Sequence, residues 1–459
     1  METAGTSAAP RGMRTFLIIW LGELISIVGS GMTGFALGVW IFQRTGEATP
    51  FALTVLFANL PRVLLLPAAG TLADRWNRRW LMILSDLGAA LTTLAVVILL
   101  SLGSLEIWHI YIIVSLGSVF GAFQEPAYRS SITMLVPKEH LGRASGMMSA
   151  GDAISMLIAP LLGGMLFGII GMRGIVIIDF VTCFFAVGAL LLVRIPQPAT
   201  SAEEKGKPRS MRSDMAFAWG YLVQRPGLFW MVWYFALVNF LFNLVMVLNG
   251  PLVLSFADAQ TYGLIQVVSG VGMLAGSILM GAWGGPKRRV VGIFAFIALS
   301  AVGLVVMGIQ PSPWLIGAGL FLMLFGVPIG SGCSAAISQT KIEPSVQGRV
   351  FAMRGMISQS MMPVAFLIAG PLADKVFGPL MMESGALAPT LGPILGVGTG
   401  RGIGLMFVAA GLILLAVTAL AWGNHHIRNV ETELPDVKVV AEGEEEEKVP
   451  TGEAVPSAA

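Results

Sequence analysis

The chain has 459 residues, of which 55% are hydrophobic and only 12% are charged. Soluble domains carry charge on roughly a quarter of their residues, so this composition excludes a water-soluble fold and favours a protein that lies in a lipid bilayer. The formal net charge of +2 hides an asymmetry, because residues 431–453 form an acidic tail while the basic residues concentrate in a few short loops.

Apolar runs recur from the start of the chain almost to its acidic end. An α-helix crosses the hydrocarbon of a bilayer in about 20 residues, and cutting the runs at charges and at Gly/Pro clusters predicts about twelve such helices. The sequence therefore indicates an all-α integral membrane fold. The predicted helices span residues 14–40, 50–73, 80–103, 107–136, 143–170, 174–193, 226–255, 260–283, 289–309, 313–340, 346–373 and 401–423.

A polar stretch separates the first six predicted helices from the last six. Residues 194–214 contain prolines and charges of both signs, so this segment cannot span a membrane. We therefore interpret residues 194–225 as a linker and expect a short interfacial helix near residues 216–222. The predicted organisation is an N-terminal segment (1–13), an N-terminal six-helix bundle (14–193), the linker (194–225), a C-terminal six-helix bundle (226–423) and an acidic disordered tail (424–459).

Basic residues mark alternate loops of this arrangement. They cluster at residues 75–79, 138–143, 287–289 and 341–349, which lie on one side of the membrane if the helices are as predicted. Lysine and arginine are enriched in cytoplasmic loops. The pattern predicts a protein of the cell membrane with both termini and the tail in the cytoplasm.

The two halves share a local pattern that indicates internal duplication. The segment Pro137–Arg143 ends in Gly-Arg before a helix that contains Pro160, and Glu343–Arg349 ends in Gly-Arg before a helix that contains Pro363. Paired six-helix bundles with a site between them are typical of transporters that work by alternating access.

Residues 70–79 read GTLADRWNRR, and they resemble the G-x-L-A-D-R-x-x-R-R signature of the major facilitator superfamily. The resemblance implies a conformational switch: the glycine allows close helix approach, the aspartate binds a neighbouring helix end, and the arginines face lipid headgroups. The switch residues are Gly70, Asp74, Arg75, Arg78 and Arg79.

A second resemblance lies in the fifth predicted helix. Ala159, Pro160, Gly163 and Gly164 resemble the end of the superfamily's antiporter motif, with alanine in place of its second glycine. The resemblance covers residues 13–424. Within the superfamily, residues 26–40, 123–127 and 136–146 resemble the macrolide-efflux and siderophore-exporter branch. The resemblance implies two pseudo-symmetric six-helix bundles of the major facilitator fold and a drug:proton antiporter.

Ionisable side chains inside the predicted helices are candidates for function, because each costs roughly 2.5 to 3.5 kcal/mol at the bilayer centre. Glu23 and Asp152 are the proton-coupling candidates, with a snorkelling carboxylate and a surface cap as their structural alternatives. Arg62 needs an acidic or carbonyl partner and is a candidate for a cavity or an inter-helix lock. Glu125 and Arg129 lie four residues apart, so they can pair with each other.

Three asparagines extend this set of cavity or helix-lock candidates. Asn59 lies beside Arg62, while Asn239 and Asn243 can supply hydrogen bonds in the second half or hold its helices together. Asp179 and Arg354 are interpreted as packing or interface residues. Cys183 and Cys333 lie in separate apolar runs, so we expect core residues, no metal site and no cofactor.

These patterns predict a secondary-active transporter that exports small amphipathic compounds, and the resemblance implies macrolides or siderophore-like metabolites as substrates and protons as the coupling ion. The sequence contains no glycine-rich phosphate loop, and its four histidines lie at loops or helix ends, so neither ATP-driven transport nor an enzyme is predicted. We expect a monomer that contacts lipid and small molecules and no nucleic acid. The alternatives are an uncoupled facilitator or importer of the same fold, and a non-transporting membrane sensor or scaffold.

Overall fold

A computed structural model describes residues 12–193 and 211–435. The described parts are almost entirely helical and contain no strand, as expected where hydrocarbon leaves backbone groups to be satisfied within each helix. The N-terminal half contains α1 (Gly12–Thr45), α2 (Ala48–Arg75), α3 (Arg78–Ser101), α4 (Ile107–Leu135) and α5 (Leu141–Leu192).

The C-terminal half follows a short helix α6 that lies before its first long helix. Two further short helices lie between α11 and the last long helix, and two more follow it. The elements are α6 (Met211–Val223), α7 (Pro226–Leu254), α8 (Ala259–Trp283), α9 (Arg289–Ile309), α10 (Pro313–Lys341), α11 (Pro344–Pro371), a π-helical turn (Leu372–Phe377), α12 (Gly378–Leu380), α13 (Ala388–Leu395), α14 (Arg401–Gly423), α15 (His425–Arg428) and α16 (Val430–Glu433).

The helix α5 crosses the membrane twice, because it breaks at one glycine. Gly171 has φ 65° and ψ −177°, a conformation that glycine adopts at little cost and other residues avoid. Its two segments, residues 141–170 and 172–192, correspond to the fifth and sixth predicted helices. Eleven described helices are long and apolar enough to cross a membrane, so α5 brings the number of spanning segments to twelve. The predicted fold of two six-helix halves is confirmed.

The helix α6 includes the predicted interfacial segment 216–222 but is longer. Arg349 of α11 holds it in place, through an ion pair with Asp214 (3.6 Å) and by stacking 4.1 Å from the centre of the Phe217 ring. The rest of the predicted linker, residues 194–210, lies outside the described residues.

The first residues of the predicted disordered tail are ordered, which corrects the prediction for residues 424–435. Ile427 and Val430 are buried against the C-terminal half. The carboxylate of Glu431 accepts hydrogen bonds from the backbone N–H groups of Arg289 and Val290, each 3.0 Å long, so it caps the start of α9. Buried apolar contacts and this cap outweigh the polar composition here. Residues 1–11 and 436–459 lie outside the described residues.

The two halves meet through α2 with α11 and α5 with α8. A methyl group added at Gly164 of α5 would lie 2.6 Å from the carbonyl oxygen of Ala259, and one at Gly263 of α8 would collide with the carbonyl of Pro160. The predicted antiporter motif therefore packs backbone against backbone across the boundary between the halves.

A second contact between the halves lies at the same end of the bundle. The carboxylate of Asp374, which follows α11, accepts the backbone N–H groups of Ala48 (2.9 Å) and Thr49 (2.7 Å) and the Thr49 hydroxyl. These are donors at the start of α2, which have no partner within their own helix.

We call this end of the bundle, where α2 and α8 begin, the contact end. Because consecutive spanning segments alternate in direction, the basic loops after α2, α4, α8 and α10 lie at the other end, the basic end.

Replacing Gly263 by valine is expected to weaken the α5–α8 contact by about 1–3 kcal/mol, because the new side chain overpacks the interface. Melting of the purified protein in detergent should shift downward. Gly281→Val is the matched control on the same helix, since nothing lies within 4 Å of a Cβ at that position. Equal melting temperatures for the two variants would contradict the contact.

Replacing Asp374 by alanine is expected to open the contact end, because the start of α2 loses its cap, an effect of about 0.5–2 kcal/mol. Gln43 and Ser384 line one cavity from opposite halves. With spin labels at these two positions, a larger fraction of molecules should have a long distance between the labels in the variant than in the parent. The labelled parent protein is the control, and an unchanged distance distribution would contradict a role in closure.

Candidate functional site

The N-terminal half contains a cavity of about 400 Å³ between α1, α2, α4 and α5, which we call the N cavity. Five of the ionisable candidates identified in the sequence line it together, although they are distributed over 130 residues of chain. They are Glu23, Arg62, Glu125, Arg129 and Asp152.

Glu23 is the most deeply buried of these groups, with 3% of its surface exposed. Its Oε2 accepts a hydrogen bond of 2.7 Å from the amide of Gln124. Its Oε1 is buried and has no hydrogen-bond partner among the described residues. Glu23 lies eleven residues after the start of α1, about 16 Å along the helix and within a membrane-spanning segment. A carboxyl group there needs a proton, a cation or water.

Asp152 faces the same cavity from α5 and, unlike Glu23, is exposed to it. It lies eleven residues after the start of α5, so the two carboxyl groups are at similar depth from the basic end. Two acidic groups in one cavity, one buried and one open, can hold a proton or a cationic group.

Glu125 lies between two arginines and joins α2 to α4. Its carboxylate is 3.0 Å from Nε of Arg129 and also contacts the guanidinium of Arg62. The acidic partner expected for Arg62 and the pair expected between Glu125 and Arg129 are thus one network. Asn59 does not take part in it, because its amide donates to the carbonyl of Val55 in its own helix (2.8 Å).

Two buried aspartates lie near the N cavity in the helix packing. Asp179 accepts hydrogen bonds from Ser30 (2.9 Å) and Thr93 (3.2 Å), so it ties α5 to α1 and α3 as a packing residue. Asp86 in α3 is also buried and interacts electrostatically with Glu23. Sequence reasoning missed Asp86, although an acidic residue eight positions into an apolar helix was the available signal.

The C-terminal half contains a second cavity of about 330 Å³ between α7, α10 and α11, which we call the C cavity. The side-chain amide of Asn239 donates a hydrogen bond of 2.8 Å to the hydroxyl of Ser358, so this candidate residue links α7 to α11. Asn243 donates to the backbone of Asn239 within α7 and does not line the cavity. Arg354, interpreted from sequence as a packing residue, lines the cavity and contacts the hydroxyls of Ser334 and Ser338.

The signature at residues 70–79 is described only in part. The side chains of Gly70, Asp74 and Arg75 lie outside what the structure describes. Arg79 donates to the carbonyls of Leu190 and Leu191, both at 2.8 Å, and Arg78 donates to the carbonyl of Ser130 (3.0 Å). The two carbonyls that Arg79 contacts are among the last four of α5, which lack helical partners and carry partial negative charge. The expectation that these arginines face lipid headgroups stays a prediction.

Replacing Glu125 by glutamine is expected to destabilise the protein by roughly 1–2 kcal/mol, because two arginines lose their counter-charge in a partly exposed site. The matched control is Arg129→Gln, which keeps the contact between Arg62 and Glu125 and should have a smaller effect. Thermal melting in detergent measures both. A larger loss in the control would show that Glu125 does not hold the network.

Twelve spanning segments in two halves, held together at one end and carrying a charged cavity in each half, define a multi-pass membrane transporter. The chain belongs to the Major Facilitator Superfamily, whose family model matches residues 19–366.

Characterised relatives include efflux proteins. Macrolide efflux protein A of Streptococcus pyogenes is 27% identical over 372 residues, which cover 79% of this chain and 90% of that protein. Multidrug efflux pump Tap of Mycolicibacterium fortuitum is 24% identical over 380 residues, 78% of this chain and 89% of the pump.

Solved structures share the fold at low sequence identity. A bacterial homologue of the human lysosomal transporter Spinster, in an inward-facing and unoccupied conformation, superposes with a TM-score of 0.65 at 15% identity, covering 88% of this chain and 95% of that one. A bacterial homologue of the iron transporter ferroportin, in an inward-facing state, superposes with a TM-score of 0.59 at 15% identity. The match covers 89% of this chain and 98% of that one.

Proposed function

We propose that this transporter exports small amphipathic compounds, such as macrolides, in exchange for protons. The observation that carries the proposal is the pair Glu23 and Asp152 in the N cavity. One carboxyl group has a buried oxygen without a hydrogen-bond partner among the described residues, and the other is open to the same cavity. The names of the efflux relatives support the direction and the class of substrate.

Alternating access gives each end of the bundle a role. The described contacts between the halves lie at the contact end, whereas Glu23, Asp152 and Arg354 lie about 15–16 Å from the basic end. Because basic loops remain in the cytoplasm, we place the basic end there, with both termini. In this proposal the structure is the state that loads solute from the cytoplasm, and rocking of the halves breaks the Asp374 and Gly263 contacts to release it outside.

The coupling follows from competition for the same carboxylates. A basic solute binds when Glu23 or Asp152 is ionised, and a proton that returns to the site favours release of the solute. One charge that crosses 100 mV gains about 2.3 kcal/mol, which supports a solute gradient of about fifty-fold. One chain supplies both halves and both cavities, so we propose a functional monomer.

In proteoliposomes, erythromycin should drive proton movement in the parent protein. Glu23→Gln should reduce this movement by more than tenfold, because in this proposal Glu23 is the buried counter-charge of the basic solute, and loss of one partner of such a pair costs about 2–5 kcal/mol. Asp152→Asn should reduce it less, because Asp152 is exposed to the cavity. The readout is the fluorescence of an enclosed pH dye.

Glu47→Gln is the control, since it removes an exposed carboxylate at the contact end. Erythromycin transport that continues unchanged in both cavity variants without a proton gradient would refute coupling and leave an uncoupled facilitator.

A further inference from the structure

The N cavity and the C cavity occupy equivalent positions in the two halves. The repeated Gly-Arg pairs before α5 and α11, Gly142-Arg143 and Gly348-Arg349, set the alignment of these helices. In that alignment Asp152 corresponds to Ser358, and Met148 corresponds to Arg354. All four residues line a cavity, so the two cavities use the same positions of α5 and α11.

The helices α4 and α10 show the same correspondence. Gln124 and Tyr128 line the N cavity, and Ser334 and Ser338 line the C cavity with the same spacing of one helical turn. On α1 the N cavity is lined by Trp20, Glu23 and Ile27, and on α7 the C cavity is lined at the same spacing by Val232, Phe235 and Asn239. Glu23 therefore corresponds to Phe235. Three pairs of helices therefore present equivalent faces, as a duplicated fold requires.

The charges at these positions are different in the two halves. The acidic positions of the N cavity, occupied by Glu23, Glu125 and Asp152, correspond to Phe235, Ala335 and Ser358 in the C cavity. Among the described residues that line the C cavity, Arg354 is the one that is charged, and its counterpart is Met148. The N cavity therefore holds three carboxylates against two arginines, Arg62 and Arg129, whereas the described lining of the C cavity holds one arginine and no carboxylate.

Arg354 has hydrogen bonds but no counter-charge. Its guanidinium donates to Ser334 (3.0 Å) and contacts Ser338, and the Ser338 hydroxyl donates onward to the carbonyl of Ser334 (2.7 Å). Within residues 12–193 and 211–435, no carboxylate forms an ion pair with it. Arg354 lies ten residues after the start of α11, about 15 Å along the helix, and an isolated cation inside a membrane-spanning helix is costly. The serines hold the guanidinium in position and leave its charge for another group.

We infer that the C cavity binds a carboxylate of the transported solute through Arg354, with the basic group of the same solute on the acidic side of the pathway. The planar guanidinium fits a carboxylate with two parallel hydrogen bonds. The inference rests on the proposed function and specifies it: the preferred solutes are amphipathic zwitterions that carry an amine and a carboxylate.

Isothermal titration of the full-length protein in detergent with norfloxacin and norfloxacin ethyl ester tests the inference. The two compounds share the amine and differ in the carboxylate. The parent should bind norfloxacin about ten- to a hundredfold more tightly, the range for a hydrogen bond to a charged group. Arg354→Gln should abolish the preference and leave the affinity for the ester within about twofold of the parent.

Two further variants separate recognition from a structural role. Arg354→Lys should restore part of the preference, because it keeps the charge and loses the paired geometry. Lys375→Gln removes an exposed cation at the contact end and should keep the full preference. Melting temperatures confirm that each variant is folded.

The outcomes distinguish this inference from the proposed function. Equal affinity of the parent for the two compounds, or a preference that persists in Arg354→Gln, would overturn the carboxylate subsite while erythromycin-driven proton movement still stands. A preference that depends on Arg354, without any proton movement in the parent, would support the subsite and refute the coupling. Failure of the folded parent to bind either compound would overturn the subsite as well.

Discussion

The hydrocarbon interior of the membrane is the constraint on which the rest of this structure depends. Backbone groups must find partners within each helix, and a charged side chain must find a counter-charge, a proton or water. Glu125 meets this demand with two arginines, and Asp179 meets it with hydroxyls. Glu23 and Arg354 meet it only in part, and both line cavities. In the proposed function, these two side chains lie along the transport pathway.

The two ends of the bundle are held by different kinds of contact. At the contact end, glycines bring the backbones of α5 and α8 together, and Asp374 of one half caps a helix of the other. Such contacts need close approach and are lost over a short displacement. At the basic end, Arg79, Glu431 and Arg349 fasten helix ends within one half. Each half is therefore stiffened internally while the boundary between the halves can break, which is what rocking requires.

Duplication gave the two halves the same cavity, and substitution gave the cavities different chemistry. Equivalent lining positions hold acidic residues in the first half, and apolar or hydroxyl side chains with one arginine in the second. A shared scaffold whose two cavities differ in charge, with Glu23 and Asp152 in one and Arg354 in the other, can orient an asymmetric solute between them. Under the proposed function, this asymmetry would assign proton exchange to the N-terminal half and recognition of a solute carboxylate to the C-terminal half.

The sequence alone determined the class of fold, the twelve spanning segments and the superfamily signature, because length, apolar runs and motif spacing are local properties. It also identified Glu23, Arg62, Glu125, Arg129 and Asp152, because an ionisable group in an apolar helix is conspicuous wherever it points. Only the tertiary structure decided that these five share one cavity, that Asn59 bonds within its own helix, that Arg354 lines a second cavity and that residues 424–435 cap α9. Those outcomes depend on helix rotation and on contacts between residues far apart in the chain, which no local pattern encodes.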